Sequence, residues 1–193
     1  YKYVEQAKGL GVDIEEMSTK GLVEIVYARP LDLSVDEMLY KMEDAIQRIG
    51  AKRVIIDSIT GLEAALAPTF KEDFRESLYR LIGTLTSSGV TLMMTVEQTE
   101  SYNELRFTPH AISFLTHDVI LQKYVEIEGQ LRTVMTVIKT RGRAHSRDFR
   151  EYTIGDEGIV VGEPMHDYDG IITGVPKRVR TVRPHQKTEG RGD

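Results

Sequence analysis

The chain contains no cysteine, which excludes disulfides and thiolate metal centres and is compatible with a reducing compartment. No apolar run reaches the length of a membrane span, and the opening Tyr1-Lys2-Tyr3-Val4-Glu5 does not resemble a signal peptide. A cytoplasmic location without membrane contact is the expectation. His110, His117, His166 and His185 share no ligand spacing, so no zinc site is expected. There is also no Gly-Lys dipeptide, and therefore no glycine-rich loop of the kind that cradles phosphates.

What is present fits one soluble domain with a sizeable core and a tail: 193 residues, 40% of them hydrophobic and 28% charged. The net charge of −5 argues against a general nucleic-acid coat. Its distribution is uneven. From Pro176 onward six basic residues stand against two acidic ones, so the tail is near +4 and the body near −9. The division expected is a folded part over 1–163 and a basic, flexible tail over 164–193.

The pattern along the body alternates between helix and strand. The chain opens inside a helical stretch, Tyr1 to Leu10, and Leu22 to Tyr27 is a short β-rich run. Ser34 and Glu37 have capping-box spacing, Val35, Met38, Leu39, Met42, Ala45, Ile46 and Ile49 follow at helical intervals, and Gly50 closes the helix. Val54-Ile55-Ile56 runs without alternation, as a parallel strand covered on both faces does. A second helix is predicted over 71–87 with Phe74, Leu78, Leu81, Ile82 and Leu85 inward, then a buried strand over Val90 to Val96. This is a βαβ rhythm, and it implies an α/β fold with a parallel central sheet. From His117 the pattern changes to hairpins. His117 to Ile127 and Leu131 to Lys139 flank Glu128-Gly129-Gln130, while Phe149 to Ile154 and Ile159 to Val161 flank Asp156-Glu157-Gly158. Antiparallel strands therefore extend the sheet.

Three groups are candidates for chemistry. Asp57 follows the Val54–Ile56 strand, where a carboxylate can orient Mg²⁺ or one of its waters; it can equally cap the next helix, with Ser58 and Thr60 after it. Thr95, Glu97 and Gln98 lie at the tip of the next strand, suited to positioning water or sensing a phosphate, or simply to a polar loop. Lys139 and Arg141 fall on one face of a strand, with Arg143 beyond them if it continues, Gly142 available for a bulge, and His145 after them. That set can clamp a polyphosphate or can be a charged, solvated edge.

The order of these elements resembles the KaiC family within the RecA-like ATPases, specifically the part of a domain downstream of its phosphate loop. The segments are LGVDIEEMSTKGLVEIVYARPLDLSVDE (10–37), KRVIIDSITGLEAAL (52–66), HDVILQKYVEIEGQL (117–131), VIKTRGRAH (137–145) and REYTIGDEGIVVGEP (150–164). The resemblance implies a partial RecA-like three-layer fold in a homohexameric ring, with ATP and Mg²⁺ between subunits. Asp57 would order Mg²⁺ through water. Lys139 and Arg141 would reach the γ-phosphate held by the neighbouring subunit, with Arg141 as arginine finger. His145 would lie near the same nucleotide, and Ile154 and Asp156 would border its adenine and ribose. Clock members phosphorylate themselves just before the strand matching 117–127; there this chain has Ser113, with Phe114 in place of a second hydroxyl. Ser/Thr autokinase activity at Ser113 and regulatory protein partners follow from the same resemblance. The family's phosphate loop and paired glutamates have no counterpart in these residues, so the chain alone is expected to be inactive. The alternatives are a non-catalytic nucleotide-sensing scaffold and a RecA-type DNA recombinase fragment, the latter disfavoured by the acidic body.

Overall fold

A computed structural model describes residues 2–27, 34–65, 74–97 and 114–179. These divide into two compact units: the residues up to His117 together with Gly155–Gly158, and Asp118–Ile154 together with those from Ile159 onward. Among the described residues, no helix is long and apolar enough to cross a membrane.

The first unit begins with two short helices, α1 (Lys2–Lys8) and α2 (Ile14–Thr19). Asp13 caps α2 by accepting from the Glu16 amide at 2.9 Å, a start that has no amphipathic run behind it and that the sequence pattern did not mark. Leu22 to Tyr27, read as β-rich, forms no strand; it pairs with no described strand, and Leu22, Ile25 and Tyr27 are exposed. Helix α3 (Val35–Ile49) starts with both bonds of the predicted capping box and stops at Gly50, whose φ of 61° is left-handed.

Strand β1 (Arg53–Ile56) leads into α4 (Ile59–Ala65), which the sequence reading omitted; α5 (Phe74–Ser87) and β2 (Thr91–Met94) follow. β1 and β2 are parallel, in register from Arg53↔Thr91 to Ile56↔Met94. Helices α3 and α5 supply Val35, Met38, Phe74, Leu78, Leu81, Ile82 and Leu85 to a core against which Val54, Ile56, Leu92 and Met94 pack. The opposite sheet face is open: Ile55 is 67% and Met93 56% exposed. The expectation of burial on both faces is therefore wrong for these described residues. An uninterrupted apolar run encodes what both faces of a strand tolerate, and among the described residues only one has a layer against it.

The second unit carries a sheet in the order β3-β4-β5-β6: β3 (Asp118–Ile127), β4 (Gln130–Thr140), β5 (Arg150–Gly155) and β6 (Gly158–Pro164). β3 and β4 meet antiparallel through a two-residue loop, Glu128-Gly129, in which both residues have positive φ (53° and 75°), the twist such hairpins favour. One sheet face buries Val125, Ile127 and Val134. Ile171 covers them at 3% exposure, with Met165 and Tyr168 beside it. Residues 165–179, assigned by sequence to the tail, thus fold back through the pair β7 (Tyr168–Asp169) and β8 (Lys177–Arg178). Lys123 Nζ donates to the Ile172 carbonyl at 3.0 Å and Arg178 pairs with Glu128 at 3.3 Å. The basic composition hid a single deeply buried isoleucine.

Candidate functional site

Asp57 lies immediately beyond the carboxyl end of β1, exposed, where an open parallel sheet presents its ligand side. Backbone bonds fasten this turn to the tip of β2: the Thr95 amide donates to the Ile56 carbonyl at 3.0 Å, and the Ile59 amide to the Thr95 carbonyl at 2.9 Å. The Asp57–Ser58 peptide is cis. Ser58, not Asp57, caps α4, its Oγ accepting from the Gly61 amide at 3.0 Å. Capping therefore makes no demand on the Asp57 carboxylate. Its Oδ1 accepts from the Thr95 hydroxyl and its Oδ2 from the Tyr3 hydroxyl, the latter at 3.0 Å. The hydrogen bond to that carboxylate, and then its charge, raise the proton affinity of the Tyr3 phenol. Thr60 Oγ1 accepts from the Glu97 amide at 3.3 Å, so β1 and β2 present Asp57, Thr60, Thr95 and Glu97 at one end. Gln98 lies outside the described residues. Hard oxygen groups beside one exposed carboxylate suit Mg²⁺, which keeps much of its water and takes few protein ligands.

In the second unit, Lys139 stands opposite Val119 and Thr140 opposite Asp118. The ladder passes from Val119↔Lys139 to Ile120↔Val137, leaving Ile138 as an extra residue on β4. The bulge is thus upstream of the cations, whereas the sequence had offered Gly142. That glycine instead turns the chain after the strand with φ 79°. β4 ends at Thr140, so Arg141 and Arg143 lie in the bend beyond it and strand alternation does not align them with Lys139. Lys139 is half-buried and Arg141 exposed. Burial first, and the Arg141 charge second, hold the Lys139 ammonium below the ordinary lysine range, while Asp118 opposes them. His145 Nε2 is buried and has no hydrogen-bond partner among the described residues. The loop is anchored nearby, where the buried Thr136 hydroxyl donates to the Arg147 carbonyl at 3.2 Å. The Arg141 charge that disfavours the Lys139 ammonium is a repulsion that an anionic oxygen ligand bound to both would relieve.

Ile154 is on β5 and 62% exposed; Asp156, also exposed, is in the β5–β6 turn. The Asp156 carbonyl is 3.6 Å from where a Cβ on Gly11 would stand. Ser113 lies outside the described residues; the adjoining Phe114 meets Tyr79 with ring centroids 6.3 Å apart. Tyr3 escaped sequence reasoning altogether, since nothing in a tyrosine 54 residues from Asp57 signals the bond.

A family model described as "ATPase: KaiC" matches residues 2–166. The circadian clock protein KaiC3 of a Synechocystis strain is 32% identical over 173 residues, covering 90% of this chain and 34% of that protein. The circadian clock oscillator protein KaiC of Parathermosynechococcus lividus is 29% identical over 173 residues, again 90% of this chain and 31% of the relative. The chain spans about a third of the length of these curated relatives. The crystal structure of a KaiC-like protein from the hyperthermophilic archaeon Pyrococcus horikoshii OT3 is similar at a TM-score of 0.71 and 29% identity, covering 82% of this chain and 68% of that one. The expected α/β, RecA-like architecture agrees with that likeness, although among the described residues the antiparallel strands expected to extend the parallel sheet form a sheet of their own.

Proposed function

The chain belongs to the KaiC family of ATPases, and from that premise we propose that it is part of a ring subunit that binds ATP and Mg²⁺ at a subunit boundary. In this reading Asp57 orients a water of the Mg²⁺ ion, and Mg²⁺ when bound neutralises phosphate charge. Lys139 and Arg141 address the γ-phosphate held by the next subunit, Arg141 stabilising the charge that develops on phosphoryl transfer. His145 accompanies them, and Ile154 and Asp156 flank the base and ribose. The observation that carries the reading is the end of β4: a half-buried lysine whose charge is disfavoured by Arg141, close in sequence to a buried imidazole nitrogen with no partner among the described residues. Two cations that repel each other are both stabilised when one polyanion binds them together.

A homohexamer acting in signalling or clock-type regulation, with autokinase activity at Ser113, completes the proposal. Phosphopeptide mapping of the full-length protein incubated with ATP tests the Ser113 part. The trans action is tested by mixing. Arg141→Ala subunits of the full-length protein should lose about a thousandfold or more in turnover. Combining them with subunits disabled in their own phosphate loop should restore part of it. Failure of every mixture to recover activity would exclude action across a boundary.

A further inference from the structure

Asp57 is exposed, and an exposed carboxylate ordinarily samples several rotamers, which is a poor basis for holding a cation. Here each oxygen is taken by a donor from a different element. Thr95, just past β2, holds Oδ1, and Tyr3, on α1, holds Oδ2 at 3.0 Å. We propose that Tyr3 is a positioning residue for Asp57, and that cation binding at the end of β1 depends on the Tyr3 hydroxyl. The inference deepens the proposed Mg²⁺ role of Asp57 and rests on it.

The chemistry of the donor set supports this assignment. A carboxylate has about four acceptor directions, so two hydroxyl donors fix its plane and still leave two for waters of a metal ion. Among the described residues, no group of three His, Cys, Asp or Glu side chains gathers that could hold a metal. A cation here therefore has no three-ligand cluster among the described residues to rely on, and the orientation of the Asp57 carboxylate gains weight. Partners one step removed from the metal are where such orientation is set. Tyrosine suits the task, because its rigid ring delivers a hydroxyl across a distance with only two torsions to fix. Tyr3 is itself 53% exposed, so its ring contributes little to the core and its hydroxyl is the part engaged with another element. The bond also ties α1 to the β1–β2 edge, so an event that shifts α1 would release Oδ2 and weaken the site.

The test uses Mn²⁺ in place of Mg²⁺, with the 193-residue chain followed by NMR. Paramagnetic broadening strongest at the Ser58, Thr60 and Thr95 amides locates the cation at this strand end, and its loss in Asp57→Asn ties it to Asp57. In the wild-type chain these amides should broaden at lower Mn²⁺ than the rest, and Asp57→Asn should abolish the preference. Tyr3→Phe should require about tenfold more Mn²⁺ for the same broadening, with its melting temperature and distant amide shifts unchanged. A purely structural tyrosine would move the melting temperature instead. If Asp57→Asn abolishes the broadening and Tyr3→Phe behaves as wild type, the positioning role is overturned while the role of Asp57 stands. If the broadening is absent, or is indifferent to Asp57→Asn, the cation reading itself fails and the inference falls with it.

Discussion

Arg141 acts on Lys139: two residues downstream, just past the end of β4, its guanidinium adds to burial in holding the Lys139 ammonium below the ordinary lysine range. A cation so disposed is a better partner for a phosphate than a freely solvated one, because less hydration is lost when the anion arrives.

The consequence is measurable as amine reactivity. A depressed proton affinity raises the neutral fraction at a given pH, and only the neutral amine is acylated. In competition labelling read by mass spectrometry, the pH midpoint for Lys139 should fall below that for Lys8. The proton affinity of Lys8 is raised by its 2.8 Å bond to Glu15. Arg141→Ala removes the repulsion and should move the Lys139 midpoint up. Asp118→Asn removes the opposing carboxylate and should move it further down. A midpoint indifferent to both substitutions would show that the cation pair does not interact.

Gly170 controls how residues 165–179 fold back over the second unit. Its φ is +76°, and a Cβ there would stand 2.7 Å from the Val175 carbonyl oxygen, a backbone atom that cannot swing aside. Gly170→Ala should cost at least the 1–2 kcal/mol, roughly, of a left-handed non-glycine residue, plus the displacement of Ile171 from its buried position. Hydrogen exchange should show it first at the Val179 amide, which donates to the Asp167 carbonyl at 2.8 Å. Unchanged protection at Val179 would contradict the packing described.

What the sequence made legible was local. The Ser34/Glu37 box, the stop at Gly50, the hairpin turn around Glu128-Gly129-Gln130 and the inward residues of α5 each depend on neighbours within a few positions, and all have structural counterparts, the turn being tightened to Glu128-Gly129. What escaped was set by distant partners: Tyr3 on Asp57, Ile171 on Val134, the open face at Ile55. Within the candidate site, Asp57 was placed correctly at a strand end, and its freedom from capping duty depended on whether Ser58 would take that role. The bulge at Ile138 rather than at Gly142 had no sequence signal, because it is a matter of ladder register.

The capping box at α3 carries a pH signature. Glu37 accepts from the Ser34 amide at 2.8 Å, and that bond, with the Ser34 hydroxyl, holds its carboxyl below the ordinary range. A carboxylate with a lowered folded value stabilises the protein above its unfolded value. That contribution fades as pH falls through the folded one. Ser34→Ala should cost about 1 kcal/mol near neutral pH by thermal melting. The difference from wild type should narrow in acid, where Glu37 is protonated in both. Glu37→Gln should flatten this dependence; an unaltered acid limb in that variant would remove Glu37 as its source.

The chain of 193 residues should not hydrolyse ATP by itself. An oriented Mg²⁺ and an arginine finger accelerate transfer only of a phosphate that something holds in line, and these residues include no glycine-rich phosphate loop. Cations at the end of β4 can still attract a polyphosphate by charge, an attraction that salt screens with a Debye length of about 10 Å at 0.1 M. A fluorescent ATP analogue should therefore bind weakly, lose affinity as salt rises, and lose it again in Arg141→Ala. Phosphate release should stay at the buffer background for wild type and for Asp57→Ala alike. Measurable turnover in the purified chain that persists in Asp57→Ala would mean that hydrolysis is organised around other residues, and the assignment of Asp57 would have to be abandoned.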